Sequence, residues 1–370
     1  MTFGFRNQID VTLSVADDVV IGVDIEPRTR PPLGRLFAGK PAEALPGALP
    51  RLFSLCATAH QAALLSALEA ARGAQPEPAS RRRRVRAVMS EHFAELVRGL
   101  LLRSLVRDHA TVGPARELLQ AISSLQDDLL RGAHDQPRSE TLSQIKMALG
   151  ALGIGLGPEP IRPGTPLASL MALAGETAKN GGWRHMPAEH GFLSAADDGA
   201  VVSCLFDQGA AFAVAPELDG RIPETGVWAR YALREAPSRA GPSERLSTRV
   251  SEIVTLLRLI EIGEADDTTS DDRFAVASYR LGPRCGGAAV ECARGRLHHV
   301  IELDAQERVV RFEYLAPTEW NFHPRGPVVR SLTGAAVQHG AAGREAIEAA
   351  VGSFDPCVGL GLSFREMADA

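Results

Sequence analysis

Cysteine and aromatic side chains are scarce in this chain. Five cysteines are spread over 370 residues, and Phe, Trp and Tyr together make up 5%. A sparse, odd thiol count argues against a disulfide-stapled scaffold and fits a reducing compartment. Basic excess is also missing: the formal net charge is −5 and the sequence pI about 6.1. That excludes a global positive field for nucleic acid. No uninterrupted apolar run is long enough to span a bilayer. The first residues carry Arg6 and Asp10 and lack an apolar segment of the secretory kind. The expected protein is cytoplasmic, with no nucleic-acid partner and no membrane span.

What is present is core-forming material. Hydrophobic residues make up 45% of the chain, enough for one large domain or two ordinary ones. Alternation over residues 9–25, broken by Asp17-Asp18, predicts a β-hairpin. A connector rich in Pro and Arg follows, from Pro27 to Pro46. Helical spacing then covers most of residues 50–178, with Cys56 on the first turns of the first helix. Arg81-Arg82-Arg83-Arg84 opens a helix running to Val106, and the plainer reading of that run is a solvated helix start. Residues 199–370 read as strand-rich. Strands are expected at Ala200–Phe206, Ala210–Ala215, Phe274–Leu281, Ala288–Cys292, Leu297–Leu303 and Val309–Leu315. Amphipathic helices are expected at Ser247–Ile262 and Gly343–Val351. The sum is an α+β chain, taken as a single domain over 1–370.

Two cysteine segments stand out. Each looks like a Cys-x-x-Cys metal motif with one thiol missing. Around Cys56 the other position holds Phe53; after Cys357 it holds Leu360. A thiolate is a soft, charged ligand for iron, copper(I) or zinc. Taken alone, each thiol reads better as a buried structural cysteine than as a ligand. Pro356 restricts itself and Asp355 before it. Gly359 and Gly361 would let backbone approach a bulky ligand. Arg294 beside Gly295, between two strands, can aim a rigid fork of donors into a cavity. Thr318, held after Pro317, offers a neutral donor. Zinc is disfavoured, because Cys285-x6-Cys292 is not a usual ligand spacing and strand alternation parts His298 from His299.

In order along the chain, these segments resemble the large subunit of nickel–iron hydrogenases. They resemble its truncated relatives, the HupK/HoxV-type hydrogenase maturation proteins, more closely. The first motif of the enzyme, Arg-x-Cys-Gly-x-Cys-x-x-x-His, is matched at Arg51, Cys56 and His60 but not at Phe53 or Ser54. Its last motif, Asp-Pro-Cys-x-x-Cys-x-x-His, is matched at Asp355, Pro356 and Cys357 but not at Leu360 or Ser363. Its Ala-Pro-Arg-Gly appears as Cys292-Ala293-Arg294-Gly295, and its Pro-Thr segment as Pro317-Thr318.

The resemblance implies a hydrogenase-large-subunit-like fold. It also implies a sorting by metal. Cys56 matches a thiolate that bridges nickel and iron, and Cys357 one that binds nickel alone. Arg294, Pro317 and Thr318 match the residues around the diatomic ligands of iron, with His60 nearby. Two thiolates do not make a four-sulfur nickel site, so no nickel is expected. The implied cargo is an Fe(CN)2(CO) unit held transiently on Cys56 and Cys357, with Phe53 and Leu360 keeping the cavity dry. The implied role is a non-catalytic scaffold. Its implied partners are a small HypC-type chaperone, other Hyp maturation proteins and the hydrogenase large subunit. The competing readings are a degenerate hydrogenase-like enzyme and a structural subunit on the same fold.

Overall fold

The computed structural model describes residues 8–101, 109–131, 138–157, 159–180, 191–235, 241–263, 276–337 and 340–367. Strands β1 (Gln8–Ala16) and β2 (Val19–Glu26) form the expected hairpin. Asp17 and Asp18 both take positive φ, 47° and 59°. A two-residue hairpin turn needs that geometry, and Asp tolerates it better than most residues. Strand β7 (Gly359–Glu366) lies parallel to β1 on its other side, pairing Ile9 with Leu360 and Leu13 with Phe364. The sequence reading gave these residues no strand.

Helices fill the middle of the chain. The connector holds α1 (Leu33–Phe37) and leads into α2 (Leu45–Leu52). Then come α3 (Ala57–Arg72), α4 (Pro78–Leu100), α5 (His109–Arg131), α6 (Ser139–Ala151) and α7 (Pro166–Asn180). The expected stretch from residue 102 to Val106 lies outside the described residues. Arg82 and Arg83 are exposed, as a solvated helix start requires, and Arg84 departs from it. It is half-buried and forks onto Glu69 of α3 at 2.8 and 2.7 Å, so it pins α4 to α3.

Two expected strands are helices. Ala200–Phe206 lies in α8 (Asp198–Gln208) and Ala210–Ala215 overlaps α9 (Ala210–Val214). Helices α10 (Val227–Glu235) and α11 (Pro242–Ile262) follow. The strand-rich part therefore begins at Val276, not at residue 199. It is an antiparallel meander of β3 (Val276–Gly282), β4 (Cys285–Cys292), β5 (Gly295–Leu303) and β6 (Val309–Leu315). Residues 274 and 275, where the first of these strands was expected to start, lie outside the described residues. Short helices α12 (Pro317–Asn321), α13 (Pro327–Leu332) and α14 (Ala341–Gly352) lead to β7.

The central strands are buried on both faces. From Gly286 to Val300 every residue has little solvent access. Helix α3 covers one face and α8 packs on the other. The buried residues of α3 are mostly small, with Ala59, Ala62, Ala63, Ala67 and Ala71 among them. Small side chains let the helix sit close to β4. This face belongs to the main core, with Leu49, Leu64, Phe93 and Leu96. A second core lies between the three-stranded sheet, α13 and α14. A third gathers α8, α9 and Trp320, the packing residue its sequence context suggests. Among the described residues no helix is long and apolar enough to cross a membrane.

Candidate functional site

Cys56 is not on a helical turn, as the sequence reading had it. It is the residue before α3, in left-handed conformation with φ 54° and ψ 30°. A non-glycine residue there stores strain of order 1–3 kcal/mol unless its surroundings hold it. Glu91 of α4 does the holding. Its carboxylate accepts the backbone N–H groups of Thr58 at 2.8 Å and Ala59 at 2.9 Å. It thereby caps a helix whose own N-cap side chain makes no capping bond.

Arg294 sits in the turn between β4 and β5. Its Nη1 donates to Cys56 Sγ at 3.4 Å and to Glu95 Oε2 of α4 at 3.0 Å. Gly295 is what lets the turn fit. Its φ is 124°, and a Cβ there would meet Thr225 Oγ1 at 2.2 Å. Behind the turn, Arg230 donates to the Cys292 carbonyl at 3.2 Å and forks onto Glu252 and Glu291. Burial opposes ionisation of Glu252, but the Arg230 charge wins and holds its carboxyl down to about 2. This network fixes Arg294 from below. The sequence reading did not reach Arg230, Glu252 or Glu291. Cys292, whose Sγ donates to the Gly295 carbonyl at 3.1 Å, is close enough to act on Cys56. Cys292 and burial push the Cys56 thiol well up, while Arg294 opposes them.

Cys357 enters from the other end of the chain. Thr318 Oγ1, on the first turn of α12, lies 2.9 Å from its sulfur. Pro317 starts that turn and is buried. Burial raises the Cys357 thiol, against the charges of Arg28 and Arg294 and the Thr318 bond. Asp355, two residues before, has φ 52°. A residue preceding proline is normally pushed to extended backbone, so the cysteine is approached through a strained link. Asp355 faces Arg249 at 3.7 Å and is the charge Arg294 feels most. A small cleft reaches Arg294 and Asp355, with Trp228, Arg245, Arg249 and Phe354 in its wall.

The positions that depart from the enzyme motifs are filled by packing. Phe53 stacks on His60 with ring centres 3.5 Å apart. His60 Nδ1 shares a hydrogen bond with His299 Nε2 at 2.9 Å. His298 points the other way, to Asp198 at 2.9 Å, as alternation requires. Burial, His299 and Arg28 hold His60 far below its ordinary value; burial and His298 bring His299 down to about 3. Both rings are neutral at pH 7. Leu360 corrects the expectation of a shared dry wall. It is in β7 and packs against the second core. Ser363 bonds Thr12 at 2.9 Å across the same strand pair. Gly361 also serves the sheet, not a ligand: a Cβ there would meet Asp10 Oδ1 at 2.0 Å. Arg51 ends α2 on the surface.

Residues selected from sequence thus meet in two pairs, Cys56 with Arg294 and Cys357 with Thr318, while His60 stacks on Phe53 and bonds His299. Among the described residues, no group of three or more His, Cys, Asp or Glu is arranged to hold a metal ion. The soft donors on offer are the thiols.

The model for nickel-dependent hydrogenases matches residues 213–361, a span holding Arg294, Thr318 and Cys357 but not Cys56. The chain is 47% identical to the hydrogenase expression/formation protein HupK of Bradyrhizobium diazoefficiens over 374 residues, covering 100% of both chains. It belongs to the HupK/HoxV family of hydrogenase expression/formation proteins. A HoxV member from Cupriavidus necator is 30% identical over 372 residues, covering 91% of this chain and 92% of the other. The fold of this HupK/HoxV chain is that of the hydrogenase large subunit. The [NiFeSe] hydrogenase of Desulfovibrio vulgaris Hildenborough superposes with a TM-score of 0.62 at 16% identity, over 93% and 94% of the two chains. The enzyme from Desulfomicrobium baculatum gives 0.62 at 14% identity, over 93% and 95%.

Proposed function

We propose that this chain is a non-catalytic scaffold of nickel–iron hydrogenase maturation. It receives an Fe(CN)2(CO) unit on Cys56 and Cys357 and passes it to the hydrogenase large subunit. The names of its relatives support the maturation role. The observation that carries the rest is the pairing of each retained thiol with a retained hydrogen-bonding group. Cys56 has Arg294 at 3.4 Å, and Cys357 has Thr318 at 2.9 Å.

The chemistry follows from the protonation of the site. Cys292 and burial push the Cys56 thiol up, and burial pushes up that of Cys357, so both sulfurs are protonated before cargo arrives. Each must lose a proton as it ligates iron. Arg294 offsets the negative charge of the loaded thiolates and offers N–H donors to the cyanide nitrogens. Thr318 turns its hydroxyl between sulfur and ligand. Two thiolates hold iron less firmly than the enzyme's full set does, which suits a unit that must move on. We assign delivery to a small HypC-type chaperone with other Hyp proteins, in the cytoplasm.

The test is infrared spectroscopy on protein co-expressed anaerobically with the maturation machinery. CN and CO stretches from the purified chain are expected, and their loss in Cys56→Ala and Cys357→Ala. A band-free wild-type chain would overturn the proposal. Hydrogen uptake or evolution by the pure chain would favour a degenerate enzyme. Full hydrogenase activity in a host carrying only the alanine variants would favour a structural subunit.

A further inference from the structure

The cysteine, Arg-Gly and Pro-Thr motifs leave one part of the site unexplained. The connector between β2 and α1 brings a second guanidinium to Cys357. Arg28 Nη2 donates to Glu319 Oε1 at 2.9 Å, and Glu319 is the neighbour of Thr318. Arg28 is close enough to Cys357, Tyr314 and Glu319 to feel the charge of each. Its side chain is 9% exposed and that of Glu319 is 7%. Arg30 braces the same corner, with Nη2 on Glu313 at 2.8 Å and its guanidinium 4.6 Å from the Tyr314 ring centre.

This corner carries hydrogen-bonding capacity that the protein does not use. Arg28 Nε, Tyr314 Oη and Arg294 Nε are buried donors with no partner, and Glu319 Oε2 is a buried acceptor with none. Burial first, then Glu319 and Glu313, push the Tyr314 hydroxyl up to about 12 against Arg28 and Arg30, so at pH 7 it keeps its proton and can donate. A buried polar atom left unpaired costs about 1–3 kcal/mol. Native proteins leave few such atoms, and several around one functional sulfur call for a ligand. Three of the four are donors, so the fitting ligand is rich in acceptors.

We infer that Arg28 and Tyr314 form a second hydrogen-bonding arm of the cargo site, on the Cys357 side, receiving an acceptor-rich, anionic ligand set on iron. The inference rests on the scaffold reading above and adds to it. Neither residue lies in the motifs that identify the family, and Arg28 lies outside residues 213–361. On this view the N-terminal connector is part of the binding site. Arg294 serves one ligand of the iron and the Arg28–Tyr314 pair serves another. Glu319 holds Arg28 in place through one oxygen and leaves its Nε free.

Infrared spectra of co-expressed full-length variants test this. Tyr314→Phe removes a hydroxyl that has no partner in the empty protein. Its melting temperature is expected to stay the same or rise. A CN stretch is expected to shift, and iron per chain to fall. Arg28→Met is expected to weaken iron retention about tenfold or more, the scale of a charged hydrogen bond. Arg28→Lys keeps the charge and guards against misfolding. It is expected to restore part of the iron with a displaced CN band, because lysine lacks the planar fork. If wild type shows CN and CO bands and all three variants match it in band position and iron content, the second arm is wrong and the scaffold reading stands. If wild type shows no bands, both fall.

Discussion

The two cysteines are held very differently. Cys56 is buried to 7% exposure and is held from two sides: Glu91 caps the helix it precedes, and Arg294 donates to its sulfur. Arg294 is itself fixed to Glu95, and its turn to Arg230. Cys357 is half-buried and has one side-chain partner, Thr318. The strand after it, β7, pairs among the described residues only with β1 and has no buried residue. One thiol is an anchor and the other an arm. In a carrier, release then begins at Cys357.

The largest expected effect comes from breaking the anchor. Arg294→Met leaves Glu95 with only the part-exposed Arg98 as partner and should cost about 1.5–3 kcal/mol in urea unfolding, with loss of hydrogenase activity in the host. Acid should act next, and also on the anchored half. Unfolded His299 binds a proton below its ordinary 6.5, but the folded ring does so only near 3. The unfolded state therefore holds more protons in that window, and stability falls as pH drops through it. Urea midpoints measured from pH 7 to 4 should show this slope, and His299→Gln should flatten it. Glu91→Ala removes the cap of α3 and should cost about 1–2 kcal/mol, with iron retention reduced through the displaced Cys56 backbone. Thr318→Val should change unfolding by about 1 kcal/mol or less yet speed transfer of iron to an acceptor subunit. A Thr318→Val effect on release no larger than that of Glu91→Ala would erase the distinction between anchor and arm. Ser363→Ala breaks only the Thr12 contact on an exposed edge and should move the midpoint by a few tenths of a kcal/mol.

Much of this arrangement is legible in sequence, and the failures have physical causes. The hairpin, the long helices and the four-stranded meander follow from periodicity. Val201-Val202 and Phe212-Ala213-Val214 misled because short apolar runs fit a strand or a buried helix equally well. Packing of α8 on β5 decides for helix. Strand β7 alternates at Leu360, Leu362 and Phe364, but Gly359 and Gly361 masked it. Cys56, Cys357, Arg294 and Thr318 were found because motif spacing carries them. Arg28, Glu91, Arg230 and Cys292 were not, since each acts through a contact distant in sequence. Only Cys292 left a trace, as a thiol in the Arg-Gly motif.

The pairing of β1 with β7 also sets an order of assembly. Thr12 and Ser363 meet across 351 residues. Contacts that distant form late, because the chain between them must be ordered first. During synthesis β1 has only β2 beside it until residues 359–366 emerge. Cys357 takes its place beside Thr318 at that same moment. A nascent chain therefore presents Cys56 alone, and a two-thiol site exists only once the rest of the molecule has folded.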